Sequence, residues 1–287
     1  MNRVAESQMT ELQQHASNIR QEIVKMVSAA NSGHPGGSLS ATDIVTVLYF
    51  HEMNVGPDKA DDPNRDRFIL SKGHASPVLY AALAEKGFLP KEELSTFRKI
   101  NSRLQGHPSK KLLPGVEQST GSLGQGLSSA NGMALAGKLD KLDYRVYALL
   151  GDGEIQEGMV WEAAMAAGHY KLDNLVAILD YNHLQIDGIV DEIMDVAPVT
   201  DKFRAFKWHV IEVDGHDMEQ IIAALDEAKT VKGKPTFILA KTVKGKGVSY
   251  MENVAGWHGT APNAEQLKQA LDELCGCDIS EDVGGDK

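Results

Sequence analysis

Arg145-Val-Tyr-Ala-Leu-Leu-Gly-Asp-Gly153 runs from an apolar segment into an aspartate held between two glycines, and Leu175-Val-Ala-Ile-Leu-Asp-Tyr-Asn182 ends on an asparagine thirty positions after that aspartate. Residues 145–150 and 175–179 are nearly unbroken apolar runs, the mark of strands buried on both faces. Between them, the spacing predicts a helix over Met159 to Tyr170. Strand, helix and strand over about thirty residues make one βαβ unit. Asp152 and Asn182 are therefore expected at the carboxyl ends of two neighbouring parallel strands, where open α/β sheets bind their ligands.

Working outward, Leu12, Ala16, Ile19, Ile23, Met26 and Ala30 recur at helical spacing, predicting an amphipathic helix that stops at Asn31-Ser32-Gly33. Ser40-Ala-Thr-Asp43 reads as a capping-box-like start to a second helix reaching about Glu52. Phe68-Ile69-Leu70 is a short strand, and Ser76 to Lys86 a helix closed by Gly87. A strand over Val210 to Val213, a helix over Met218 to Thr230 and a strand over Thr236 to Ala240 continue the alternation. The pattern predicts an α/β fold: one domain over residues 1–277, with a mostly parallel sheet and helices on both faces. Residues 278–287, acidic and glycine-containing, are expected to form a flexible tail.

The 287 residues suffice to bury a sizeable core, and 42% hydrophobic with 24% charged residues excludes disordered and fibrous classes. A formal net charge of -11 argues against nucleic acid as a partner, because neutralising phosphates needs an excess of Lys and Arg. No apolar run approaches the ~18 residues of a membrane span, and the first residues lack the apolar core of a signal peptide. A cytoplasmic location with no membrane partner is the expectation. Cys275 and Cys277 are too few and too close for a disulfide framework, and zinc needs about four ligands. They read as incidental thiols in a reducing compartment.

Magnesium takes hard oxygen ligands in an octahedron and commonly shares them with phosphates. An Asp carboxylate, an Asn carbonyl and a backbone carbonyl would leave room for two phosphate oxygens and a water. Gly151 and Gly153 let phosphate approach the backbone, and the following helix offers free N–H groups. On spacing alone, Asp152 and Asn182 read equally well as turn and cap residues. Two look-alikes fail. Gly151-x-Gly153 lacks the third glycine of a dinucleotide fingerprint, and in Gly132 to Lys138 the position after the lysine is Leu139 rather than Ser or Thr.

Of ten histidines, four sit among small residues: Ser32-Gly-His34-Pro, Lys72-Gly-His74-Ala, Gly106-His107-Pro108 and Trp257-His258-Gly259. Such loops let imidazoles point into a cleft, where they bind oxygen atoms and move protons. Singly, each reads better as an ordinary loop histidine. Four of them beside a magnesium–diphosphate motif favour convergence on one site. His15, His51, His169, His183, His209 and His216 lack that context and are assigned structural or surface roles.

Together these pieces resemble the N-terminal, pyrophosphate-binding domain of transketolase, from about residue 12 to 275. Gly151-Asp152-Gly153 through Asn182 is similar to the family's thiamine diphosphate signature. The four histidine loops, Thr120-Gly-Ser-Leu-Gly-Gln-Gly126 and Lys241-Thr-Val-Lys244-Gly-Lys-Gly247 match further family motifs in the same order. One departure is Tyr181 where the signature often has a second Asn.

The resemblance implies a thiamine-diphosphate-binding fold with Mg2+, or Ca2+ or Mn2+ in its place, held by Asp152, Asn182 and the Leu184 backbone oxygen. His74, Gly153, Lys244 and His258 would contact the diphosphate end, and Gly121, Ser122 and Leu123 the aminopyrimidine side. His34, His107 and His258 would face the sugar and assist proton transfer, while Glu157 matches a glutamate at the interface between active sites. The implied activity is transfer of a two-carbon ketol unit from a ketose phosphate to an aldose phosphate, with xylulose and ribose phosphates of the pentose phosphate pathway as default sugars. Full transketolases continue into a pyrimidine-binding domain carrying the glutamate that activates the cofactor. The resemblance is thus to the N-terminal subunit of a split enzyme, expected to be inactive alone and to form a heterotetramer with a C-terminal transketolase subunit. The α subunit of a 2-oxo acid dehydrogenase component shares the GDG element but leaves His34, His107 and His258 unexplained. A non-catalytic thiamine-diphosphate-binding subunit is the other alternative.

Overall fold

The computed structural model describes residues 5–275; Cys277 and the tail expected at 278–287 lie outside them. Strands β1 (Arg67–Leu70), β2 (Val146–Gly151) and β3 (Leu175–Tyr181) join two later strands in one five-stranded sheet. A short antiparallel hairpin, β4 (Leu184–Gln185) with β5 (Gly188–Ile189), separates them from β6 (His209–Asp214) and β7 (Thr236–Lys241). The spatial order is β1-β2-β3-β7-β6, parallel throughout.

Period-two alternation sends the central strands into two cores. Tyr147 and Leu149 of β2, with Val176 and Ile178 of β3, join one; Val146, Ala148, Leu150, Leu175, Ala177 and Leu179 join the other. Both faces are dry, which is why these strands read as apolar runs. The first core is covered by α1 (Glu6–Ala30), α2 (Pro35–Ser40), α3 (Thr42–Val47) and α4 (Ser76–Glu85). The second lies under α5 (Gln125–Asp140), α6 (Gly158–Tyr170), α7 (Val190–Met194) and α8 (Val199–Ala205). Helices α9 (Met218–Thr230) and α10 (Ala264–Leu274) complete the first side, α10 packing along α1. Among the described residues no helix is long and apolar enough to cross a membrane.

The first helix ends where its sequence predicts, with Asn31 in the left-handed conformation at φ 47° and its N–H on the last turn. The expected capping box at Ser40–Asp43 is absent. Ser40 closes α2, and its hydroxyl donates to the Asp180 carboxylate at 2.5 Å and to Gly37 O at 3.2 Å. A buried carboxylate is costlier to leave without donors than a helix N–H. Asp43 is likewise engaged elsewhere, by Arg20 and His216. The helical path still reaches Glu52, through a π-helical last turn over Leu48–Glu52.

Candidate active site

Gly151 of β2 is in register with Asp180 of β3, so Asp152 and Asn182 leave adjacent strand ends. Asp152 is buried, its Oδ1 accepting the Gly153 N–H at 2.8 Å and its Oδ2 the His183 N–H at 2.5 Å. The Asn182 amide donates to Asp180 Oδ2 at 3.3 Å and Ser40 Oγ at 3.4 Å, while its Oδ1 accepts the Leu184 N–H at 3.1 Å. These contacts fix which end of the carboxamide carries the oxygen. Burial pushes the Asp152 carboxyl up to about 7, and the neighbouring charge of Asp180 adds to the shift. A buried carboxyl short of countercharge, beside an amide oxygen and the Leu184 carbonyl, is a hard-oxygen donor set. No group of three His, Cys, Asp or Glu capable of holding a metal occurs among the described residues, so a cation here would rest on amide and backbone oxygens as well as on Asp152, with water or a bound anion completing its shell.

Beneath this pair lies a buried polar cluster. Asp180 is fully buried and accepts from Lys72, Ser40 and Thr242; Lys72 also donates to Gly37 O at 2.7 Å. Burial alone would raise the Asp180 pKa, but the Lys72 ammonium beside it holds the carboxyl below its ordinary value. Glu154, also buried, accepts from Ser71 and from the N–H groups of Gly124 (3.0 Å) and Gly151 (3.1 Å). It thereby ties the loop before α5 to the end of β2.

Above the cluster three imidazoles meet. The His34, His74 and His258 ring centroids are 5.1 to 5.3 Å apart in every pairing. Lys244 Nζ reaches His258 Nδ1 at 2.9 Å and Leu184 O at 2.8 Å. An ammonium only donates, so His258 Nδ1 is the acceptor and its ring proton sits on Nε2. Burial, with Lys244 adding, lowers the His258 pKa to about 3; burial and Arg98 lower that of His34 to about 4. His74 is held well below its ordinary value by burial and Lys72. All three are neutral near pH 7. Lys244 is itself lowered to about 8, chiefly by burial.

These groups line a cleft of about 390 Å³ that also includes His107, Gly121, Leu123, Gly153 and Glu157. Gly121 lies at φ 144°, and a Cβ there would stand 2.9 Å from the His107 ring, so this loop packs closely against it. Ser122 is exposed and does not line the cleft. Glu157 is exposed at the rim and forms no ion pair among the described residues. The remaining expected site residues converge. Sequence reasoning alone gives Lys72, Asp180, Thr242 and Glu154 no role at the site, and gives Ser40 only the helix start at which it does not act. Asp180 does carry a signal, since a carboxylate ending an apolar, two-sided strand requires a buried cation, and Lys72 lies within a histidine motif.

Known proteins resemble the chain in both sequence and structure. Residues 12–282 match the family model described as transketolase, thiamine diphosphate binding domain. The chain is 46% identical over 267 residues to one subunit of the apulose-4-phosphate transketolase of Phocaeicola vulgatus, covering 93% of this chain and 95% of that one. It is 45% identical to the 6-deoxy-6-sulfo-D-fructose transketolase subunit SqwG of Clostridium sp. (strain MSTE9), covering 93% and 97%. Rat transketolase is 46% identical over 264 residues, but the match spans 42% of its length. Among solved structures, Campylobacter jejuni transketolase superposes with a TM-score of 0.87 at 38% identity, over 93% of this chain and 43% of that one.

Proposed function

Because the chain belongs to the transketolase family, as its thiamine diphosphate binding domain, we propose that it is the cofactor-binding subunit of a two-chain transketolase. A C-terminal subunit would supply the pyrimidine-binding half. One observation carries the reading: a hard-oxygen donor set at two adjacent strand ends lines one cleft together with Lys244, His74 and His258. Nearly the full length of subunit-named relatives and two fifths of single-chain transketolases are both matched, which supports division of the enzyme between polypeptides.

In this reading Asp152, Asn182 and the Leu184 carbonyl hold Mg2+, which Ca2+ or Mn2+ can replace, and Gly153, His74, Lys244 and His258 bind the diphosphate. Gly121 and Leu123 line the aminopyrimidine side, with Ser122 at the rim. Thiamine diphosphate, when bound, supplies the carbon nucleophile and electron sink for cleaving a bond next to a carbonyl. The chain's own residues orient and shuttle. His258, with its proton on Nε2, donates to a substrate hydroxyl; neutral His34 and His107 hold the donor's other oxygens and pass protons. Glu157 meets a neighbouring subunit in this reading, which its exposure at the rim supports. The transferred group is a two-carbon ketol unit, the substrates are sugar phosphates, and the assembly is a heterotetramer of two copies of each chain in the cytoplasm. The relatives are named for different ketoses, so this domain does not by itself fix the ketol donor.

The test combines the purified chain with its C-terminal companion, Mg2+ and thiamine diphosphate. Ketol transfer from xylulose 5-phosphate to ribose 5-phosphate is expected only when both chains are present. Turnover by this chain alone overturns the two-chain proposal, and pyruvate decarboxylation in place of ketol transfer favours a 2-oxo acid dehydrogenase α subunit.

A further inference from the structure

Lys244 owes its position to a short segment after β7 that is fastened residue by residue. The Thr242 N–H donates to Tyr181 O at 3.1 Å, the Gly245 N–H to Gly36 O at 3.0 Å, and Lys244 O accepts from the Asn253 N–H at 2.9 Å. Of the backbone N–H groups at 242, 243 and 245, only that of Val243 ends on a side chain, donating to His216 Nε2 at 2.8 Å. His216 is in turn tied at Nδ1 to Asp43 Oδ2 (2.7 Å), and Asp43 receives the Arg20 guanidinium at 3.0 and 2.6 Å.

The hydrogen bonds dictate the imidazole's state. Nε2 accepts a peptide N–H and must be bare, so the ring proton sits on Nδ1 and is donated to Asp43. Arg20 keeps that carboxylate charged: the Asp43 pKa is lowered despite burial, with Arg20 the largest lowering influence. A charged acceptor fixes both the tautomer and the plane of the ring. His216 does not reach the cofactor cleft. Its outer side faces a separate, open cleft of about 590 Å³, on a wall shared with Arg20 and Asp43.

We infer that His216 is a positioning residue for Lys244. Arg20 and Asp43 orient the imidazole, which holds the Val243 amide and with it the lysine at the diphosphate end of the cleft. This rests on the cofactor-binding reading of the cleft, and it adds a residue that touches neither cofactor nor substrate.

Two substitutions separate positioning from packing. His216→Asn keeps a donor for Asp43 but has nothing long enough to accept from Val243; His216→Gln places an oxygen near the Nε2 position. Amide hydrogen exchange of Val243 is measured in the unliganded full chain. Thiamine diphosphate affinity at saturating Mg2+ is measured by titration. The Asn variant should exchange Val243 about tenfold faster and bind thiamine diphosphate about tenfold more weakly, the worth of one lost hydrogen bond. The Gln variant should stay within about twofold of wild type in both. Wild-type exchange at Val243 in the Asn variant, or equal damage in both variants, overturns the inference. A wild-type chain that takes up no thiamine diphosphate even when assembled with its C-terminal subunit sinks the functional reading instead, and the exchange comparison still decides whether His216 holds the Val243 amide.

Discussion

Lys244 donates to the Leu184 carbonyl oxygen at 2.8 Å, so an ammonium rests on an oxygen that the proposed divalent cation would also use. The two charges repel, and they compete for one acceptor. Lys244→Met should therefore raise the affinity of the chain for Mn2+ alone, by about fivefold or more, since a unit charge a few ångströms away is worth at least ~1 kcal/mol. The same variant should weaken thiamine diphosphate binding, because a donor to the diphosphate is gone. Electron paramagnetic resonance titration of Mn2+ measures the first effect, and a fall in Mn2+ affinity would remove the competition.

Asp152 gives the unliganded fold a distinctive pH dependence. Its folded pKa of about 7 lies above the roughly 3.9 of an unfolded chain. Between those values the folded chain retains a proton that the unfolded chain has released. This group therefore withdraws stability as pH rises from about 4 to about 7, by up to ~1.4 kcal/mol per pH unit. His34, His74 and His258 act in the opposite sense, because their lowered pKa values cost stability as pH falls below the unfolded value of about 6.5. Comparing Asp152→Asn with wild type isolates the aspartate. Urea denaturation in a metal chelator should show the variant gaining on wild type between pH 5.5 and 7.5. A difference that is the same at both pH values would remove the buried-charge account of Asp152.

Much of the fold and the site is legible in the sequence, and the reason is physical. Strands buried on both faces need uninterrupted apolar runs, so β2, β3 and β7 announce themselves, and the first polar residues beyond them mark the site. The small antiparallel hairpin β4–β5 and the short helix α7 (Val190–Met194) escape because they carry too few residues to show a period. Ser40 misleads for another reason. Its place before Thr42 and Asp43 imitates a cap, yet its partner Asp180 lies 140 positions away, and local spacing cannot register such a contact. Asp180 and Lys72 each lie inside a sequence motif, but their pairing is a property of the folded sheet.

That pair sets up a double-mutant cycle. Lys72 and Asp180 are both almost completely buried, at 2% and 0% side-chain exposure. Removing one partner strands a buried charge, so Lys72→Met and Asp180→Leu should each cost about 3–5 kcal/mol. The double variant should cost clearly less than the sum, because neither charge is left alone. Ser40 and Thr242 lose an acceptor in both Asp180 variants, so the double variant stays below wild type. Chemical denaturation gives each value, and strict additivity would show that the two charges are not coupled.

His258 offers the sharpest kinetic test. Its Nδ1 is occupied by Lys244, leaving Nε2–H as its free donor, and its pKa of about 3 keeps it neutral across the working range. In the assembled enzyme His258→Ala should lower kcat by ~10² or more, the usual loss for a general acid or base. The shape of the pH–rate profile above pH 5 should not change, since no His258 titration falls there. His258→Gln places an amide where the ring donated and should recover part of the loss if hydrogen bonding dominates, but little if proton transfer does. A loss below threefold in His258→Ala, with the partner subunit present, would take this residue out of the reaction. An acidic limb in wild type that vanishes in the variant would instead show that His258 titrates, and that its burial is relieved when the two chains and the cofactor come together.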